Sequence, residues 1–178
     1  VAGFGLSEAG LTSILTPTAD AESGVPMGGD LSVNGDSAAP TFLVGAVKDP
    51  NSAHLDRIQI VKGWLDANGT QHEQVYDVAW SGDRAPGDDG KLPAVGNTVD
   101  LATAKYTNII GTPELSVAWK DPDFDPSERA FYYARVIEIP TPRWSTIDAV
   151  ALGRPLLDSL PATLQERAWT SPIWYSPE

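Results

Sequence analysis

The sequence predicts a mainly β protein: an antiparallel, immunoglobulin-like β-sandwich with long loops, one short helix and an extended N-terminal arm. Three observations lead there. Six or seven stretches rich in β-branched and aromatic residues are separated by turns containing Gly or Pro. Two of them flank Asn68-Gly69, a dipeptide that tolerates positive φ and favours a hairpin. Glycine (16) and proline (15) are too frequent for a helical bundle, and only one segment carries helical signals.

The first forty residues hold few large side chains and read as a Gly/Ala/Pro-rich arm that needs a partner surface to be ordered. Within it only Gly10–Leu15 (GLTSIL) suggests a short strand or helix. The texture changes at Thr41, so residues 41–178 are expected to form the sandwich domain. TFLVGAVKD is a strand ended by Asp49-Pro50. LDRIQIVKGWLDANGTQHEQVYDVAWS is the hairpin, with Ile58, Ile60 and Trp64 on one arm and Val75, Val78 and Trp80 on the other. GDRAPGDDGKLPAVGN is a long polar loop. ATAKYTNII and PELSVAWKD read as two further strands around Gly111-Thr112-Pro113.

RAFYYARVIEI carries the clearest strand signal, with no breaker before Pro140. STIDAVALG can form two helical turns, with Ser145 or Thr146 as N-cap and Gly153 as the stop. AWTSPIWY is the last strand, expected beside RAFYYARVIEI and interrupted at Pro172, which cannot donate to a ladder. The stretch 140–166 between these two strands is far too long for a hairpin loop and is read as an insertion packed on something.

Composition removes several functions. The chain has 178 residues and a net charge of −12, which gives phosphate backbones no basic face to meet, so no nucleic acid is expected. It contains no cysteine, which rules out disulfides and thiolate metal sites. No run of about 18 apolar residues is present, so no transmembrane segment is expected. A disulfide-free acidic chain suits an exported or periplasmic protein, and the cytoplasm fits as well. A chain opening Val1-Ala2-Gly3, without methionine, is expected to be a processed product or a piece of something longer.

Catalytic signals are sparse. His54 and His72 fall in no H-x-H or H-E-x-x-H spacing and read as two solvated imidazoles. No nucleophile elbow, Walker or Rossmann glycine pattern occurs. Asp121, Asp123, Asp125 and Glu128 alternate as in a calcium loop, where hard oxygens gather round one cation. Pro122 and Pro126 and the missing loop glycine favour an acidic turn instead, and no other cofactor is indicated. Arg143 and Trp144, set behind two prolines in IPTPRWSTIDA, are the binding or interface candidates. The plainer alternative has Trp144 plugging the sandwich end and Arg143 paired with an acidic neighbour.

GVPMGGDL, LDRIQIVKGW, VYDVAWSGDR, LPAVGNTVD, DPDFDP, AFYYARVIEIPTPRWST and QERAWTSPIWY together resemble the C-terminal region of a bacterial family, number 3604 in the domain-of-unknown-function series. Its members are similar to PHP-type (polymerase-and-histidinol-phosphatase) metal-dependent hydrolases. The resemblance implies that this chain is a terminal β-sandwich whose metal ligands lie in an upstream hydrolase domain. The chain by itself would be non-catalytic, a structural support or interaction surface. The first 23 residues fit the resemblance poorly. That leaves the alternative of a stand-alone accessory subunit of a larger assembly, exported or membrane-associated, docking on another protein through its N-terminal arm.

Overall fold

The computed structural model describes residues 1–3, 6, 24–31 and 38–177; the expectation for Gly10–Leu15 lies outside them. The described residues are mainly β. Eleven strands run in order: β1 (Ala2–Gly3), β2 (Asp30–Leu31), β3 (Thr41–Val47), β4 (Leu55–Leu65), β5 (Gln71–Trp80), β6 (Glu114–Lys120), β7 (Arg129–Glu138), β8 (Thr141–Pro142), β9 (Thr163–Leu164), β10 (Arg167–Trp169) and β11 (Ile173–Tyr175). One helix, α1 (Trp144–Ala151), lies between β8 and β9.

A three-stranded sheet has the order β1-β3-β6, and a larger sheet runs β2-β11-β7-β4-β5 with β10 also on β7. Strand β7 is the spine. It pairs with β4 along its whole length and with β10 and β11 on its other edge. The expected last strand therefore does sit beside RAFYYARVIEI, but in two short pieces. Pro172 breaks it, and the Thr170 hydroxyl accepts the Ala134 N–H at 3.0 Å where a backbone carbonyl would otherwise serve. The Pro172 carbonyl, lacking a role in that ladder, accepts the Gly28 N–H at 2.9 Å.

Residues read as an arm supply an edge strand to each sheet: β1 is antiparallel to β3, and β2 is parallel to β11. Side chains of both sheets share one core. Phe42 of β3 lies 4.5 Å, centroid to centroid, from Tyr132 of β7 and 5.8 Å from Trp119 of β6. Ile60, Ile173 and Tyr175 fill in around them. Each such aliphatic or aromatic side chain contributes about 1.5–3 kcal/mol when fully buried.

Three local expectations are corrected. In the β4–β5 hairpin only Gly69 takes positive φ (78°). The Gly69 N–H donates to the Asp66 carbonyl, and the Asp66 carboxylate accepts the N–H groups of Asn68 and Thr70. The loop is thus a turn tied down by Asp66, followed by a left-handed glycine. Ala102–Ile110 forms no strand. Asp100 draws the Ala102 N–H (2.9 Å) and the Thr103 hydroxyl (2.8 Å) into a local turn that competes with any ladder.

Helix α1 starts earlier than expected. Arg143 is its N-cap, with no side-chain cap bond. Thr146 is buried inside the helix and donates its hydroxyl to the Ala162 carbonyl at 2.7 Å. The C-terminus ends as expected at Gly153, whose N–H meets the Val150 carbonyl while Arg154 N–H meets that of Ala149, a Schellman closure.

Candidate functional site

Two buried polar clusters and one exposed apolar surface stand out, and the first grows from a single residue. Strand β4 alternates, so Ile58, Ile60, Lys62 and Trp64 share the face toward the core. Lys62 is cross-strand partner of Tyr132 and its side chain is 3% exposed. A lysine at a core position demands a partner, and Asp121, one residue past β6, supplies it. Lys62 Nζ lies 2.6 Å from Asp121 Oδ2, and the aspartate side chain is 0% exposed. The same ammonium donates to the Asp123 carbonyl at 2.7 Å and sits 5.0 Å from the Trp64 ring centroid. Asp121 Oδ2 accepts the Tyr132 hydroxyl at 2.8 Å, and Oδ1 accepts the Asp123 N–H at 2.9 Å.

Burial first, then the Asp121 charge, pushes the Tyr132 phenol well above its ordinary range. Tyr76 donates to Asp123 Oδ2 at 2.9 Å and is pushed up in the same way by burial and that hydrogen bond. Asp125 is occupied by the Ser127 hydroxyl at 2.6 Å, which with the Ser127 N–H holds its carboxyl below the usual range. The acidic stretch is thus a turn wrapped over a buried lysine, with Asp121 inside and Asp123 and Asp125 bonded to hydroxyls. Among the described residues no three His, Asp or Glu side chains gather to hold a metal ion.

The second cluster centres on Asp56, buried at the start of β4. Its Oδ1 accepts Arg84 Nη2 at 2.7 Å and its Oδ2 accepts Gln165 Nε2 at 2.9 Å. One carboxylate therefore pins both the polar loop after β5 and the far end of the 140–166 connection to the large sheet.

Arg143 and Trp144 sit at the start of α1, and neither plain expectation for them is met. Trp144 is 64% exposed, so it plugs nothing. Arg143 forms no ion pair among the described residues, and its Nε is buried without a hydrogen-bond partner. Ile147, one turn on from Trp144 and on the same helix face, is 49% exposed, and Leu152, Leu157 and Leu160 are also open to solvent. The connection thus leaves large apolar side chains at Trp144, Ile147, Leu152, Leu157 and Leu160 open to solvent, while Thr146 and Ala149 are turned inward.

The histidines are both engaged. His54 Nδ1 lies 3.1 Å from the Ile110 carbonyl. His72 stacks on Trp64 at 5.1 Å and bonds Asp66 Oδ2 at 3.1 Å, which lowers the Asp66 pKa. No helix among the described residues is long and apolar enough to cross a membrane.

Sequence reasoning missed Lys62, although its place between Ile60 and Trp64 in a period-two strand was the available signal. It also missed Asp56 and Gln165, whose meeting across the chain has no local signature.

One family model matches, described as a protein of unknown function (DUF3604), over residues 1–177. The match includes the first 23 residues, which were expected to fit poorly; their Gly-, Ala- and Ser-rich composition leaves few side chains by which to recognise them. No curated protein and no solved structure gives a significant match.

Proposed function

This chain belongs to the DUF3604 family, and from that membership we propose that it is a non-catalytic β-domain of a PHP-like metallohydrolase. In this reading it is an immunoglobulin-like sandwich that supports the hydrolase domain and binds it through the exposed Trp144 and Ile147 of α1. The observation that carries the reading is Trp144, a large apolar ring held 64% open to solvent beside an arginine whose buried Nε lacks an acceptor. Burying such a ring against a partner, with the exposed Ile147 one turn on along the same helix face, is the pattern of an interface anchor.

The test is binding between this chain and a separately produced PHP-like domain from a member of the same family. Co-elution is expected, and Trp144→Ser with Ile147→Ser should weaken it at least about tenfold, the equivalent of 1.4 kcal/mol, while leaving the chain folded. Failure to associate, or metal-dependent hydrolysis of phosphate or sulfate esters by the chain alone, would overturn the reading. The intact mass of the native polypeptide separates a covalently joined domain from a free accessory subunit using the same surface.

A further inference from the structure

We propose that Lys62 and Asp121 join in an intramolecular amide bond that staples the two sheets together. The inference is independent of the α1 surface. It starts from what the pair offers chemically: an amine and a carboxyl group, 2.6 Å apart between Nζ and Oδ2, with side chains 3% and 0% exposed. Lys62 belongs to β4 in the larger sheet, and Asp121 follows directly on β6 in the smaller one. Groups held this way react as if at an enormous local concentration. The surroundings exclude the water that reverses amide formation, and the reaction removes two buried charges whose desolvation opposes folding.

The two oxygens of Asp121 are already polarised. Tyr132 donates its hydroxyl to Oδ2 and the Asp123 N–H donates to Oδ1. Donors so placed stabilise negative charge that develops when a nucleophile adds to the carboxyl carbon. In the reaction a proton first passes from the Lys62 ammonium to Asp121 Oδ2, the oxygen 2.6 Å from it, giving amine and acid. The amine lone pair then forms the C–N bond at Cγ. A second proton moves from nitrogen to the Oδ2 hydroxyl, the C–O bond breaks, and one water departs. No oxidant or co-reactant is required. In the product Oδ1 becomes the amide oxygen and keeps the Asp123 N–H, and the one remaining amide N–H faces the Asp123 carbonyl that Lys62 now meets at 2.7 Å.

Mass spectrometry of the purified, folded and then denatured chain decides it. The chain should be one water lighter than its sequence, about 18 Da. Trypsin should fail to cut after Lys62, and the peptide Ile58–Arg84 should appear joined to Asp121–Arg129. A succinimide is equally one water lighter but leaves Lys62 cleavable, so that outcome counts against the proposal. Lys62→Met and Asp121→Ala should return to their full sequence masses. Asp121→Asn should instead lose ammonia, about 17 Da, and this readout does not depend on the other variants folding. A wild-type chain at full sequence mass, with residues 62 and 121 in separate peptides, would overturn the proposal.

Discussion

Phe131 lays its ring across Gly63. The two are cross-strand partners on β7 and β4, and a Cβ placed on Gly63 would lie 2.4 Å from Phe131 Cζ. The ring lies 5.4 Å from that of Trp174 and stacks at 6.4 Å on that of Tyr133, building an aromatic row on the outer face of the large sheet. Gly63→Ala is therefore expected to push the ring outward and cost about 2 kcal/mol, read as a lower urea midpoint with unchanged slope. Gly63→Ala together with Phe131→Leu should recover part of that loss. No recovery in the double variant would mean that the backbone, and not the ring, is what the methyl group meets.

Gly111 is a harsher case because its neighbours cannot swing away. Its φ is 76°, and an added Cβ would meet His54 Cβ at 2.6 Å, Ile139 Cγ2 at 2.7 Å and the Leu55 carbonyl at 3.0 Å. Gly111→Ala should cost about 3 kcal/mol, combining overpacking with left-handed strain. Gly69 has nearly the same φ, 78°, with nothing within 4 Å, so Gly69→Ala should lose only about 1 kcal/mol. Equal losses at both sites in chemical denaturation would refute the packing part of this account.

Asp56 couples two segments that are distant in sequence, so its removal should be felt in both. Asp56→Ala leaves Arg84 half-buried without its carboxylate and Gln165 without an acceptor on that side. A loss of about 3 kcal/mol is expected from breaking a buried pair. Hydrogen exchange should speed up in residues 81–93 and again in 163–166. Changes confined to the immediate neighbours of residue 56 would show that the carboxylate does not link them.

The start of α1 can be tested through two adjacent hydroxyls. Thr146 ties the helix to Ala162, so Thr146→Val should cost about 1 kcal/mol, the value of one buried hydrogen bond. Among the described residues Ser145 is neither cap nor tether, and Ser145→Ala should change stability by less than about 0.5 kcal/mol. An N-cap serine would lose about 1 kcal/mol on the same change. Thermal denaturation of the two variants distinguishes the observed helix start from the one that the sequence suggests.

Which features could be read in advance follows from the range of the forces involved. The β4–β5 hairpin, β7 and the C-terminal stop of α1 are set by residues within a few positions of one another: Asn68-Gly69, an unbroken β-branched run, and Gly153. Ala102–Ile110 has the composition of a strand, but one carboxylate, Asp100, supplies a nearer hydrogen-bond partner than any neighbouring strand. Ser145 and Thr146 look like caps until Ala162, far along the chain, claims the threonine hydroxyl. The Lys62–Asp121 pair was half visible, since alternation puts the lysine in the core. Its partner was noticed only as part of an acidic run, because exposure and burial of Asp121, Asp123 and Asp125 depend on which of them tucks under β7.

Tyr132 and Tyr76 make the fold sensitive to alkali in a defined direction. Burial raises both phenols above their unfolded value, which is about 10. Below that pH both states hold the proton and the full stability is present. Above it the unfolded chain releases protons that the native state keeps, so stability falls as pH rises toward the native pKa values. Tyr132 alone accounts for a slope of up to about 1.4 kcal/mol per pH unit there. The titration is followed at the phenolate absorbance of the five tyrosines. Tyr132 and Tyr76 should ionise only together with the loss of circular dichroism. Tyr132→Phe should flatten the fall of the urea midpoint with pH. If all five ionise together while the chain remains folded, the Asp121 cluster is open to water and this account of the core is wrong.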